Sequence, residues 1–170
     1  VQRWRPPSTY SEVIMSLVVP APKPDAATEP AIKNTHFWPD VDPVELRDTL
    51  RLEGTVTAKR LRTAAKFAMT EVNAELFSFR DAQISQGYKR LADVPADQID
   101  DESVKVCAYQ RAVASIAAAF LAERYPNNDT TDKGSKKAEI VESTVDDLWR
   151  DGRNAISDVA GVSHCIIGLL

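Results

Sequence analysis

The sequence predicts an all-α fold, an antiparallel helical bundle with an extended N-terminal arm and a C-terminal tail. Three observations carry this. Glycine is scarce, at 6 in 170 residues, and most of the ten prolines lie before residue 44, so the body beyond that point can hold uninterrupted helices. From there on, apolar residues recur every three or four positions in long runs, the spacing of one helix face. A chain of this length supports one domain with a proper core and is too short for two ordinary domains and a linker.

In chain order, residues 1–42 read as the arm. Residues 1–14 read as an upstream extension, because Met15 opens a plausible second start. From Pro20 to Pro30, PAPKPDAATEP is rich in Pro, Ala and acid and predicts an extended strap without a core of its own. IKNTHFWPDVDP follows, where Phe37 and Trp38 set two large rings beside a Pro-Asp turn. The bundle spans 43–161. Asp42 is placed to N-cap a first helix with Pro43 at its first position, carrying Val44, Leu46 and Leu50 and ending near Gly54. Thr57 caps a long second helix through Leu61, Ala65, Ala68, Val72, Leu76 and Phe79, ended by Gly87. An acidic loop leads to a third helix capped by Asp100 or Asp101, apolar nearly all round in its middle and therefore central. The loop Pro126–Lys137 is polar and exposed, and a fourth helix from about Lys136 carries Val141, Val145, Leu148, Ala155, Ile156 and Val159. Gly152 inside it predicts a close helix approach or a slight bend. Residues 162–170 form an apolar tail.

Composition narrows the function. A net charge of -4 with acid and base interleaved argues against a surface built to grip nucleic acid, which needs clustered Lys and Arg. Cys107 and Cys165 match neither a zinc spacing nor a disulfide framework and read as free thiols. The longest apolar run, Ala112–Ala122, falls short of the ~20 residues of a bilayer span, and no membrane partner is expected. No phosphate loop, nucleophile elbow or HExxH motif occurs, and His36 and His164 lack placed partners, so no enzyme activity, catalytic residue, cofactor or metal is expected. Asp40, Asp42 and Glu45 cluster, but Pro43 interrupts the calcium-loop pattern and helix capping accounts for them better.

Several blocks, taken in order, resemble one family. They are IKNTHFWPDVDP at 32–43, RLEGTV at 51–56, NAEL at 73–76, RLADVPADQIDDESVKV at 90–106, ERY at 123–125, KGSKKAE at 133–139 and DDLWRDGRNAI ending at Ile156. Together they resemble the head-completion (head-stabilisation) proteins of temperate contractile-tailed phages, over about residues 16 to 168. The resemblance implies a bundle of the head-tail connector, or adaptor, type. It implies a structural virion protein at the head-tail neck, assembled in the bacterial cytoplasm as a homo-oligomeric ring, a dodecamer, beneath the portal protein. The ring would close the DNA-filled head and prepare it for a tail completion or tail terminator protein, with packaged DNA passing through without sequence-specific contact. The extension 1–14 and the hydrophobic end IIGLL depart from the pattern.

Candidate contact residues follow from this reading. Phe37, Trp38 and the arm would touch a neighbouring subunit, and Trp149 reads as core, with an interface anchor as the sharper role. Cys165, Ile166, Ile167, Leu169 and Leu170 would dock onto the portal or a neighbour. Asp97, Asp100 and Asp101 would face the DNA channel and repel phosphate, or else form a solvated helix-capping loop on the outside. The alternative from another class is a small acidic helical regulator that binds another protein's basic surface or mimics DNA. It would need acid spread over one whole face, whereas only one short loop here is purely acidic.

Overall fold

A computed structural model describes residues 29–50, 56–125 and 134–162, with the helical backbone alone over 134–143. The proposed upstream extension, the proline-rich strap up to residue 28, Gly54, residues 126–133 of the polar loop and the apolar tail beyond Val162 lie outside the described residues. The chain is mainly helical. Five helices are described: α1 (Pro43–Thr49), α2 (Ala58–Glu75), α3 (Phe77–Ser85), α4 (Val104–Arg124) and α5 (Gly134–Ala160). One small hairpin joins β1 (Gln98–Ile99) to β2 (Glu102–Ser103).

Helix α4 is the axis. It is 21 residues long, and both α2 and α5 pack against it. By length and composition it is apolar enough to cross a membrane, beyond what the run Ala112–Ala122 suggested, but here half of that stretch is buried inside the protein. Tyr109, Ala112, Val113, Ile116, Ala117 and Ala119 are fully buried or nearly so. The small residues bring the helices close. A Cβ added at Gly152 of α5 would lie 2.7 Å from Ile116 Cγ1 of α4, so the close approach read from Gly152 is present. Both partners run antiparallel to α4. On one side Asn73 of α2 meets Tyr109, and Arg60 lies over the Tyr125 ring at 4.6 Å. On the other, Lys105 Nζ donates to Val159 O at 2.7 Å and Trp149 Nε1 donates to Glu123 Oε1 at 2.8 Å.

The caps predicted for α1 and α2 form. Asp42 Oδ1 accepts from Val44 N at 2.8 Å with Pro43 in the first turn, and Thr57 Oγ1 accepts from Arg60 N at 3.3 Å. Gly87, with φ of +98°, follows the end of α3, as its conformational freedom predicts.

Three expectations need correction. The single long second helix is two: at Leu76 ψ opens to 12°, and although Arg80 N still donates to Leu76 O, α3 contributes no fully buried residue and touches the core only through the half-buried Phe79. Leu76 itself plugs the core at 1% exposure, and the apolar spacing through Phe79 concealed the change of direction. Asp100 and Asp101 do not cap α4. They are the two loop residues of the hairpin, both left-handed with φ of 52° and 61°, as a mirror-type two-residue turn requires. Ser103 stands at the N-cap without a side-chain bond, and the backbone carbonyl of Asp97 takes the Val104 N–H at 3.0 Å. Finally, the segment 32–42 is not an extended arm. Ile32 and Val41 exchange backbone hydrogen bonds of 2.7 and 3.0 Å across an antiparallel bridge, and the loop between them is packed into the core.

Candidate functional site

With no catalytic constellation expected, the candidate sites are surfaces, and the loop 32–41 decides what is surface. Phe37 and Trp38 are buried at 3% and 4% exposure. Their rings meet edge to face at 4.8 Å, and Trp38 stacks on Tyr109 of α4 at 5.0 Å and 11°. Behind the stack lies a closed ring of three side-chain hydrogen bonds. Asn34 Nδ2 donates to Tyr109 Oη (2.8 Å), Tyr109 Oη donates to Asn73 Oδ1 (2.7 Å), and Asn73 Nδ2 donates back to Asn34 Oδ1 (3.0 Å). Each member gives and receives within the ring, the arrangement in which bonds polarise one another. Burial pushes the Tyr109 hydroxyl well above its ordinary range, and the bond from Asn34 only partly opposes this. The two rings expected at a subunit interface thus anchor the loop inside their own chain, and their burial needs no neighbour.

Beside the loop, an open groove of about 330 Å³ lies between α1 and α4, reaching Leu148 of α5. Its lining includes Val41, Leu46, Leu50, Ala114 and Leu148, with Asp40, Asp42 and Glu45 on one side. Those carboxylates have structural duties. Asp42 caps α1, and Asp40 accepts from Lys33 Nζ (2.6 Å) and Asn34 N (2.9 Å), bonds that hold its carboxyl below the usual range. Cys107 also lines the groove as a free, half-buried thiol, and burial, followed by a hydrogen bond with Glu102, raises its pKa. A thiol held protonated is a poor nucleophile.

The hairpin is the most exposed described feature that the sequence singled out. Asp97, Asp100, Asp101 and Glu102 are all exposed, as is Ile99 at 69%. No ion pair involves Asp97, Asp100 or Asp101 among the described residues, whereas Asp93, earlier in the loop, pairs with Arg90 at 3.1 Å. Trp149 is half-buried, with its N–H spent on Glu123, so it ties α5 to α4 within one chain. Cys165, Ile166, Ile167, Leu169 and Leu170 lie outside the described residues. Sequence reasoning missed the hydrogen-bonded ring, because Asn34, Asn73 and Tyr109 carry no signal until the fold brings them together.

A sequence model of the phage head completion protein (GPL) family matches residues 32–170. The chain belongs to that family. Among curated proteins, the head completion/stabilization protein of Escherichia phage P2 is 51% identical over 152 residues, covering 89% of this chain and 88% of that protein. No solved structure matches. The role of the GPL family is structural, the completion of the phage head, and family membership gives the resemblance read from the sequence blocks its confirmation. The GPL match begins at Ile32, the residue where the described chain first pairs with the core.

Proposed function

We propose that the chain is a head-tail connector subunit of the phage neck. Copies assemble as a homo-oligomeric ring, a dodecamer, beneath the portal protein after packaging, stabilise the filled head and present a surface to a tail completion or tail terminator protein. Packaged DNA passes through the ring without sequence-specific contact, and assembly takes place in the host cytoplasm. The observation that carries this reading is the family match over 32–170 together with a relative whose name joins completion to stabilisation of the head. A small helical body that exposes large apolar side chains suits a subunit whose surface is finished by neighbours. The acidic regulator is less well supported, since the described α2 opens with Lys59, Arg60 and Arg62.

The test is direct. Purified chain is mixed with portal rings of the same phage and imaged by electron microscopy. A ring of added density beneath the portal is expected, and a portal left bare by a chain that stays monomeric would overturn the connector reading.

A further inference from the structure

Five large apolar side chains stand exposed among the described residues, each on an element next to an end of α4 or α5 in the antiparallel arrangement. Phe77 (55%) and Ile84 (49%) on α3, Ile99 (69%) on the hairpin and Val162 (62%) just past α5 gather at the end where α4 begins. Tyr125 (40%) marks the other end, about 30 Å away along the 21 residues of α4. Exposed apolar side chains of this size are what a partner surface covers.

The charges at the two ends are opposite. At the first end, the hairpin carries Asp97, Asp100, Asp101 and Glu102 around Ile99; of the cations near it in the chain, Lys105 donates to Val159 O, Arg90 pairs with Asp93 and Arg80 lies over the Phe77 ring at 4.7 Å, while Lys89 stands exposed near Asp93. At the second end, Lys59 and Arg60 open α2 and Arg124 closes α4, all exposed, with Arg60 lying over the Tyr125 ring at 4.6 Å. No acid lies in the first turn of α2, where the helix dipole would favour one, so the positive charge there opposes local stability. Glu123 is held by Trp149, and Asp147 by Arg150 at 2.6 Å.

We infer that these two ends are the two halves of one subunit contact: the hairpin of one copy, led by Ile99, docks on the Lys59, Arg60, Arg124 and Tyr125 surface of the next copy. The occupant is a second copy because one chain carries both halves, apolar centre to apolar centre and acid to base. Such a contact is heterologous and closes into a ring if its rotation allows. It deepens the connector reading and rests on it.

Charge exchange tests it. One variant carries Asp97→Lys and Glu102→Lys, leaving the left-handed Asp100 and Asp101 alone. The other carries Lys59→Glu and Arg60→Glu. All four side chains are exposed, so far-ultraviolet circular dichroism should match the parent chain. The first variant takes the hairpin from four acids to no net charge and the second sets acid against the acidic hairpin, so each alone should associate at least about tenfold more weakly, by sedimentation or on portal rings. An equal mixture keeps one native junction, the acidic hairpin of the second variant on the unaltered basic end of the first, and should recover pairwise association between the two variants. Variants that assemble alone as well as the parent overturn the contact, and so does a mixture that fails to recover. If the parent chain assembles neither alone nor on portal rings, the ring reading itself fails, and that result is read before any variant is made.

Discussion

Tyr109 has its hydroxyl direction fixed by two asparagines from different parts of the chain, so its removal tests the link between the loop 32–41, α2 and α4. Tyr109→Phe keeps the stack on Trp38 and leaves Asn73 Oδ1 without its donor, which should cost about 1–3 kcal/mol in denaturant unfolding. The same residue sets an alkaline limit. Its folded pKa is raised, so below about pH 10, where the unfolded tyrosine keeps its proton, nothing is lost. Above that value the unfolded chain ionises while the folded one does not, and stability falls as pH climbs toward the folded value. Unfolding curves measured from neutral to alkaline pH should show this loss in the parent chain and less of it in Tyr109→Phe. Trp38→Ala should destabilise by about 3–5 kcal/mol, a folding defect in the isolated subunit that thermal or denaturant unfolding reads without any assembly assay. At this scale the sequence was a partial guide. It marked Phe37 and Trp38 as rings that must be covered but assigned the cover to a neighbouring subunit, because the covering residue Tyr109 lies 71 positions after Trp38 in a helix whose apolar pattern looks uniform.

Helices were legible where a local rule was sufficient. Asp42–Pro43, Thr57 and Gly87 each act within a few residues, and each does what its chemistry predicts. The break at Leu76 and the hairpin at 98–103 were not legible. Leu76 is apolar at the expected spacing, and Asp-Asp is a less usual turn pair than Asn-Gly or Asp-Gly. Replacing Asp101 by Gly should therefore stabilise the folded chain slightly, by up to about 1 kcal/mol, since glycine adopts the left-handed backbone without penalty. Gly152 is the opposite case. Ala is the better helix former by about 1 kcal/mol, yet its methyl would press on Ile116 Cγ1 in the interior. Gly152→Ala should give a net loss of about 1–2 kcal/mol in thermal unfolding.

Among the described residues the bundle has unlike ends, acidic around the hairpin and basic where α2 starts. Association between such ends is weakened by salt, because exposed charges are screened over about 10 Å at 0.1 M ionic strength. Sedimentation of the parent chain across increasing salt should show progressive loss of self-association, while its helical content stays constant. The mainly helical character and the family were readable from spacing and from ordered sequence blocks. The polarity of the ends was not, since the acids and bases that define each end interleave along the sequence and separate only once α2 and α5 turn antiparallel to α4.

The bridge between Ile32 and Val41, with the ring through Asn34 just behind it, gives the fold a hard edge at its N-terminal side. A protease that trims the chain from its beginning should slow sharply at about Ile32, where further cleavage requires two backbone bonds and a buried loop to open first. Mass spectrometry of the resistant product would then report the smallest body that keeps its shape.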